Sequence, residues 1–366
     1  MTVCQEVRSF GTHISAEGIS VTMRRWTLLA VCVFLVAFSG CLGAGDGIAG
    51  EDGGSDTPAQ ADTGSPSTGE LEVHYIDVGQ ADSTLIVTPE GETVLVDTGG
   101  WQSDGEQVIS YLEERGIERV DHLVATHPHA DHIGGHAAVI EYFEEEGDGV
   151  GAVYDSGQPH DTQTYENYLD AVDSYGHELL LVEAGDQLPL DSEAVEALVL
   201  NPPTDGDGGE FHDNSVALAV EFGDVRYLLT GDAEREVESR LSGEWAEQLD
   251  ADVYQAGHHG SSTSSTGSFF DAVDPEVAVI SSDYDSQFGH PHSEVLERFA
   301  EHGAETYWTG VHGDVVVTTD GAEVTVSPAE SFSTDPMDLL AEKPPNGRVG
   351  QTALVGDEHL PVGGVG

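Results

Sequence analysis

Thr126-His127-Pro128-His129-Ala130-Asp131-His132-Ile133-Gly134-Gly135 packs three histidines and an aspartate into one short segment, directly after the apolar run His122-Leu123-Val124-Ala125. A buried strand that ends in such a cluster delivers neutral imidazole nitrogens and a carboxylate oxygen to one place. These are the donors that zinc and similar divalent ions favour. A strand-to-helix loop is required, because consecutive donors have to turn inward toward shared centres. A polar surface loop would have little use for so many histidines after a buried strand.

Working outward, the pattern stays dense between Leu71 and Ser327. Leu71–Val78, Ser83–Thr88 and Thr93–Val96 read as successive strands, and Glu106–Arg115 as a helix. Ser215–Phe222 and Val225–Thr230 form an expected hairpin around Gly223-Asp224, and Val253–Ala256, Val277–Ile280 and Val315–Thr319 are further strands. Helices are expected at Thr164–Ser174, Glu234–Leu241 and Ser293–His302. Mixed strands and helices, with chemistry at strand ends, imply layered sheets with helices outside.

The His-x-His-x-Asp-His spacing after a strand resembles the signature of the metallo-β-lactamase superfamily. The resemblance implies an α/β chain folded as an αββα sandwich, with a two-metal site at the edge between its sheets. It puts His127 and His129 on metal one and Asp131 and His132 on metal two. Leu228-Leu229-Thr230-Gly231-Asp232 then stands where the family carries a carboxylate that bridges both metals. A strand-terminal aspartate taken alone serves as readily as a helix cap. Ala256-Gly257-His258-His259-Gly260-Ser261 matches the family's last ligand, with His259 on metal two and His258 facing outward to substrate, or the reverse. Asp97, in Leu95-Val96-Asp97-Thr98-Gly99, matches an aspartate that supports the histidine loop; a turn aspartate bonded to its own backbone is the alternative.

Together with the loop, Asp77-Val78-Gly79-Gln80-Ala81-Asp82-Ser83, Asp213-Asn214-Ser215-Val216-Ala217-Leu218, His258-His259-Gly260-Ser261 and Phe288-Gly289-His290-Pro291-His292 are similar to the hydrolase domain of ComEC-type competence proteins. That resemblance implies a stand-alone phosphodiesterase or nuclease in which Asp131 also serves catalysis. His258, or Asn214 through its amide, would stabilise developing charge. Many superfamily members place one more histidine on metal one; His212, Asp213 and Asn214 are the candidates, with His212 preferred. Zinc suits the donor set, with manganese as the alternative. His290 and His292 are open between cap, surface and substrate contact, while His160, His177, His302 and His312 read as packing or surface residues. Hydrolysis of an ester, thioester or lactam, and a non-catalytic metal-dependent binding or sensing lipoprotein, are the competing functions.

Asp and Glu number 69 against 11 Lys and Arg, a formal charge of −58. The acidic residues are spread through strand and helix patterns, which indicates a folded halophilic protein rather than an acidic disordered one. So few cations argue against a basic groove for nucleic acid, so a nucleic-acid or other phosphodiester substrate would be held mainly by metals. Cys4, Cys32 and Cys41 all precede the folded region, leaving it no disulfide framework. Met23-Arg24-Arg25-Trp26, an apolar run over Leu28–Phe38 and Ser39-Gly40-Cys41 resemble a lipoprotein signal. Lipidation of Cys41 would tether the domain outside the cell membrane; an uncleaved membrane helix is the alternative. Translation is expected to start at Met23. The expected divisions are a leader over 1–42, a flexible acidic linker over 43–69, the hydrolase domain over 70–330 and a disordered tail over 331–366. A separate DNA-transport protein is an expected partner if the domain assists DNA uptake.

Overall fold

The computed structural model describes residues 12–16, 19–25, 69–204 and 209–344. Cys41, the apolar run of the leader, nearly all of the linker and the end of the tail lie outside the described residues.

One sheet contains β1 (Thr12–Ala16), β2 (Ile19–Arg25), β3 (Leu71–Tyr75), β4 (Thr84–Val87), β5 (Thr93–Val96), β6 (Val120–Ala125), β7 (Val150–Asp155) and β8 (Leu179–Leu181). The other contains β9 (Val195–Asn201), β10 (Ala217–Phe222), β11 (Val225–Leu229), β12 (Val253–Gln255), β13 (Val277–Ile280) and β14 (Glu305–Trp308). The chain then returns to the first sheet with β15 (Val315–Thr319) and β16 (Val324–Pro328), β15 pairing antiparallel with β3. The orders are β1-β2-β8-β7-β6-β5-β4-β3-β15-β16 and β14-β13-β12-β11-β10-β9.

Three apolar clusters define the layers. Val73, Val94, Val96 and Val124 from the first sheet meet Val199, Leu218, Tyr227 and Val279 from the second. On the outer face of the first sheet, Leu95, Leu123 and Val153 pack under α1 (Glu106–Glu114), α2 (His136–Glu146) and α3 (Gln163–Ser174). On the outer face of the second, Leu228, Tyr254 and Ile280 pack under α4 (Arg235–Glu244), α5 (Ala246–Leu249), α6 (Gly267–Val273) and α7 (Ser293–His302). The result is an αββα sandwich. Val94 and Leu95 face opposite cores, as do Leu123 and Val124, so the strands read as unbroken apolar runs rather than alternating ones.

The expected strands and helices are present, though the first strand stops at Tyr75, where Ile76 N bonds Ser83 O and the chain turns back. Two features differ from expectation. Residues 1–22 were set aside by the sequence reading, yet β1 and β2 pair with each other and β2 pairs parallel with β8 at the sheet edge. The expected disordered tail is corrected over 331–344. After the short α8 (Thr309–His312), α9 (Pro336–Glu342) buries Leu339 in the outer core beside α7, and Asp335 caps it by accepting from Met337 N at 2.8 Å. Met337, Leu339, Leu340 and Ala341 carry the apolar signal there, over too short a run to show helical periodicity. Among the described residues no helix is long and apolar enough to cross a membrane.

Candidate metal centre

The histidine loop is held by its neighbours before any ligand binds. Thr98 N bonds His132 O at 2.7 Å, Trp101 N bonds Ala130 O at 3.0 Å, and Gly134 N bonds Gly99 O at 3.0 Å. Gly134 is required by this approach, because a Cβ there would collide with the backbone of Gly100 and Trp101. Asp97, at φ 58°, accepts from Thr126 N at 2.9 Å and lies 2.7 Å from His132 Nδ1. His258 and His259 are also left-handed, at φ 51° and 55°. Non-glycine residues pay for that conformation, and three at one place mark a segment shaped for its side chains.

These elements converge on Asp232, which follows β11. Its Oδ2 lies 3.5 Å from His127 Nε2, 3.7 Å from His212 Nε2 and 3.6 Å from His258 Nε2. Its Oδ1 lies 3.2 Å from His132 Nε2 and 3.8 Å from His259 Nε2. His129 Nδ1 joins the first group, 3.0 Å from His127 Nε2 and 3.3 Å from His212 Nε2. Thus His127, His129, His212 and Asp232 form one set that could hold a metal ion, and Asp82, His132, Asp232 and His259 form a second.

The donors fit a cation. His132 Nε2, His259 Nε2 and Asp232 Oδ1 are buried without a hydrogen-bond partner, an arrangement costly unless an ion satisfies all three. Burial, with the neighbouring histidines, pushes His127 down to about 4 and His129 down to about 3, so both rings present lone pairs at neutral pH. Burial opposes charge on His132 and His259 as well, but Asp232 and Asp97 raise the first, and Asp82 and Asp232 take the second to about 9. Against burial, the histidines hold the Asp232 carboxyl well below the usual range. Carboxylates that draw protons onto buried imidazoles would be satisfied equally by a divalent ion.

Of the three candidates for the remaining place on the first set, the structure brings in His212. Asp213 turns away and accepts from Glu210 N at 3.1 Å. Asn214 is corrected as a charge-stabilising group: its amide donates to Gln158 Oε1 at 2.9 Å and Glu210 O at 3.2 Å, bracing the loop instead. Asp131 comes within 3.5 Å of His259 Nε2 and is partly exposed, so it borders the second set. Burial would raise its carboxyl, but the adjoining His259 and His132 hold it far below the usual range.

Two participants were missed from sequence, and a third, His290, was left open between cap, surface and substrate contact. Asp82 is buried 3.6 Å from His259 Nδ1 and is held by Gln255 Nε2 at 3.1 Å. It stands behind the ring, whose Nδ1 also meets Ser281 O at 3.1 Å, leaving Nε2 for the ion. Its signal was present in Asp77-x-x-x-x-Asp82-Ser83. Glu234 Oε1 lies 3.1 Å from His258 Nδ1 and 3.4 Å from His212 Nδ1, joining two histidines distant in sequence. His290 is buried within 6.2 Å of the His259 ring and is no surface residue, while His292 Nδ1 accepts from Ser262 N at 2.8 Å. His177, His302 and His312 bond Glu144, Asp271 and the Trp308 backbone away from the clusters, and His160 packs on Phe211 at the rim.

ComE operon protein 3 of Bacillus subtilis (strain 168) is 31% identical over 262 residues, 67% of this chain and 33% of that protein. Competence protein ComA of Neisseria gonorrhoeae is 31% identical over 244 residues, 67% of this chain and 32% of that protein. The chain therefore spans about a third of the length of these curated relatives. Among solved structures, the metallo-beta-lactamase fold protein YhfI from Bacillus subtilis is similar at 12% identity and TM-score 0.43, covering 65% of this chain and 96% of that one. The metallo-beta-lactamase superfamily model matches residues 76–282 and takes in every side chain of both metal-capable sets. The chain belongs to that superfamily.

Proposed function

We propose that this protein is an extracytoplasmic binuclear phosphodiesterase acting on nucleic acid, with zinc as its metal. The observation that carries this reading is Asp232, whose two oxygens face two separate histidine sets. Two ions held there would supply Lewis-acid charge and a water of near-neutral pKa, which phosphodiester hydrolysis needs beyond positioning. Nitrogen donors dominate the first set, three histidines to one aspartate, which favours zinc over manganese there. Asp232 and the buried rings of His127, His132 and His259 fix the geometry and exclude water from one side. His258 Nε2 lies on the Oδ2 side of Asp232 with its ring partly exposed, where its cationic form would donate to a substrate oxygen.

Nucleic acid as substrate is supported by a relative named as a competence protein. Cys41 would carry the lipid that holds the domain outside the cell, the −58 charge would suit molar salt, and a separate DNA-transport protein would be the partner. The carboxylates of Glu234, Asp283 and Asp285 near the site favour a second reading, hydrolysis of an uncharged ester, thioester or lactam.

The test is turnover by the full chain, purified at molar salt with zinc, of bis-p-nitrophenyl phosphate beside a p-nitrophenyl ester and a lactam. Diester turnover lost in Asp232→Ala is expected. Turnover of only the ester or lactam would establish the second reading in its place.

A further inference from the structure

Of the 11 Lys and Arg in the chain, one is a lysine, Lys343. It directly follows α9, in the segment expected from sequence as a disordered tail, and is partly buried. Its Nζ donates to Gly289 O at 2.8 Å and also to Pro291 O, the two carbonyls that flank His290. With 69 carboxylate side chains in the sequence, a cation left to the surface would pair with one of them. Lys343 instead gives two of its three donors to the backbone of one loop.

That loop runs from Ser281 to His292, between β13 and α7, and closes around the segment His258–Ser262. His259 Nδ1 meets Ser281 O at 3.1 Å, His292 N donates to Gly260 O at 2.8 Å, and Ser262 N donates to His292 Nδ1 at 2.8 Å. A Cβ on Gly260 would come within 2.7 Å of Pro291 Cβ, so the two segments touch directly. The His290 ring lies 6.2 Å from the His259 ring and its Nδ1 is 3.2 Å from Gln80 Nε2, two residues before Asp82. The end of α9 holds the earlier part of the loop too, since Tyr284 Oη donates to Glu342 O at 3.1 Å. His258 and His259 are left-handed non-glycine residues, a conformation that persists only where the surroundings enforce it.

We propose that Lys343 is a positioning residue for the second metal-capable set. By fixing the carbonyls of Gly289 and Pro291 it holds the loop that keeps His259 left-handed, with Nε2 turned toward Asp131 and Asp232. It touches none of the candidate ligands and acts through the loop. This role rests on the binuclear reading of the centre. Among the described residues the loop's hydrogen bonds to the site fall on Gln80 and on His259–Ser262, not on His127, His129 or His212, so the effect belongs to one ion.

The test is zinc binding by the full chain at molar salt, read by competition with a chromophoric chelator in the wild type, Lys343→Met and Lys343→Arg. Methionine keeps an apolar stem and removes the donors, so Lys343→Met should weaken one of two ions about tenfold and spare the other. Lys343→Arg, which can still donate to both carbonyls, should recover most of that loss. Linkage requires a reverse effect of equal size, so zinc should favour the bonded lysine about tenfold. Saturating zinc should therefore slow acetylation of Lys343 by an N-hydroxysuccinimide ester by about that factor, read on its peptide by mass spectrometry. Zinc-dependent protection in a wild type that binds a single ion would keep the coupling and remove the binuclear reading. Two bound ions, with Lys343→Met titrating as wild type and acetylation indifferent to zinc, would overturn the coupling and leave that reading intact. Equal weakening of both ions in Lys343→Met would also overturn it, because Lys343 would then support the fold at large.

Discussion

His132 Nδ1 sits 2.7 Å from Asp97 Oδ2, and both side chains are fully buried. The carboxylate accepts a hydrogen bond from Nδ1–H, which turns Nε2 toward Asp232 Oδ1, 3.2 Å away, as the atom that would face an ion. Asp97 thereby sets the tautomer of a residue that could ligate a metal without itself reaching the ion. Replacement by Asn keeps the size and removes the charge, so Asp97→Asn should weaken zinc binding by about 10- to 100-fold. Competition with a chromophoric chelator measures it; unchanged affinity would mean that Asp97 only shapes the turn.

Glu234 plays a comparable part for the other set, because one carboxylate oxygen meets both His212 Nδ1 and His258 Nδ1. Glu234→Gln should lower the affinity of one of two bound ions by about tenfold and spare the other, since no Glu234 contact reaches His132 or His259. Stepwise metal titration separates the two. Equal weakening of both ions would contradict this division.

Gly134 closes the histidine loop against the Gly100–Trp101 backbone with no room for a side chain. Gly134→Ala should destabilise the fold by about 1–3 kcal/mol through overpacking and displace His132 from Asp97. Urea denaturation gives the first effect and metal content the second.

Asp155, at the end of β7, is buried, and burial raises its carboxyl to about 7 although Gly157 N donates to it. A raised carboxyl favours the protonated folded state. Its stabilising contribution is therefore complete below the unfolded value near 3.8 and is lost as pH rises to about 7. Asp155→Asn lacks that loss. Relative to wild type it should gain nothing at pH 4 and on the order of a few kcal/mol at pH 7. Denaturation curves across that range that stay parallel would show Asp155 ionising freely.

Much of this architecture was legible because the local signals agreed. The loop from His127 to His132 concentrates donors at the end of an apolar strand, and the Gly223-Asp224 turn, with Gly223 at φ 63°, fixes the β10–β11 hairpin. Asp232 could be ranked only through its place in the family order, since a strand-terminal aspartate has several ordinary uses. Glu234 and Asp82 escaped because their partners are distant in sequence: Glu234 meets His212 and His258 once the second sheet has formed, and Asp82 meets His259 once that sheet packs against the first. Asn214 was misread for the same reason, its amide being taken by Gln158 from another loop. Among the strands not foreseen, β7 mixes exposed and buried positions without regular alternation, whereas β9 alternates over Val195–Val199 and was overlooked.

The central claim is that Asp232 joins two metal sites, and metal stoichiometry tests it most directly. Zinc bound per chain should be measured by elemental analysis after dialysis at molar salt, in the wild type and in Asp232→Ala. Two ions in the wild type, with both sites weakened together in the variant, are predicted. A single ion in the wild type, or two ions retained with unchanged affinity in Asp232→Ala, would contradict it.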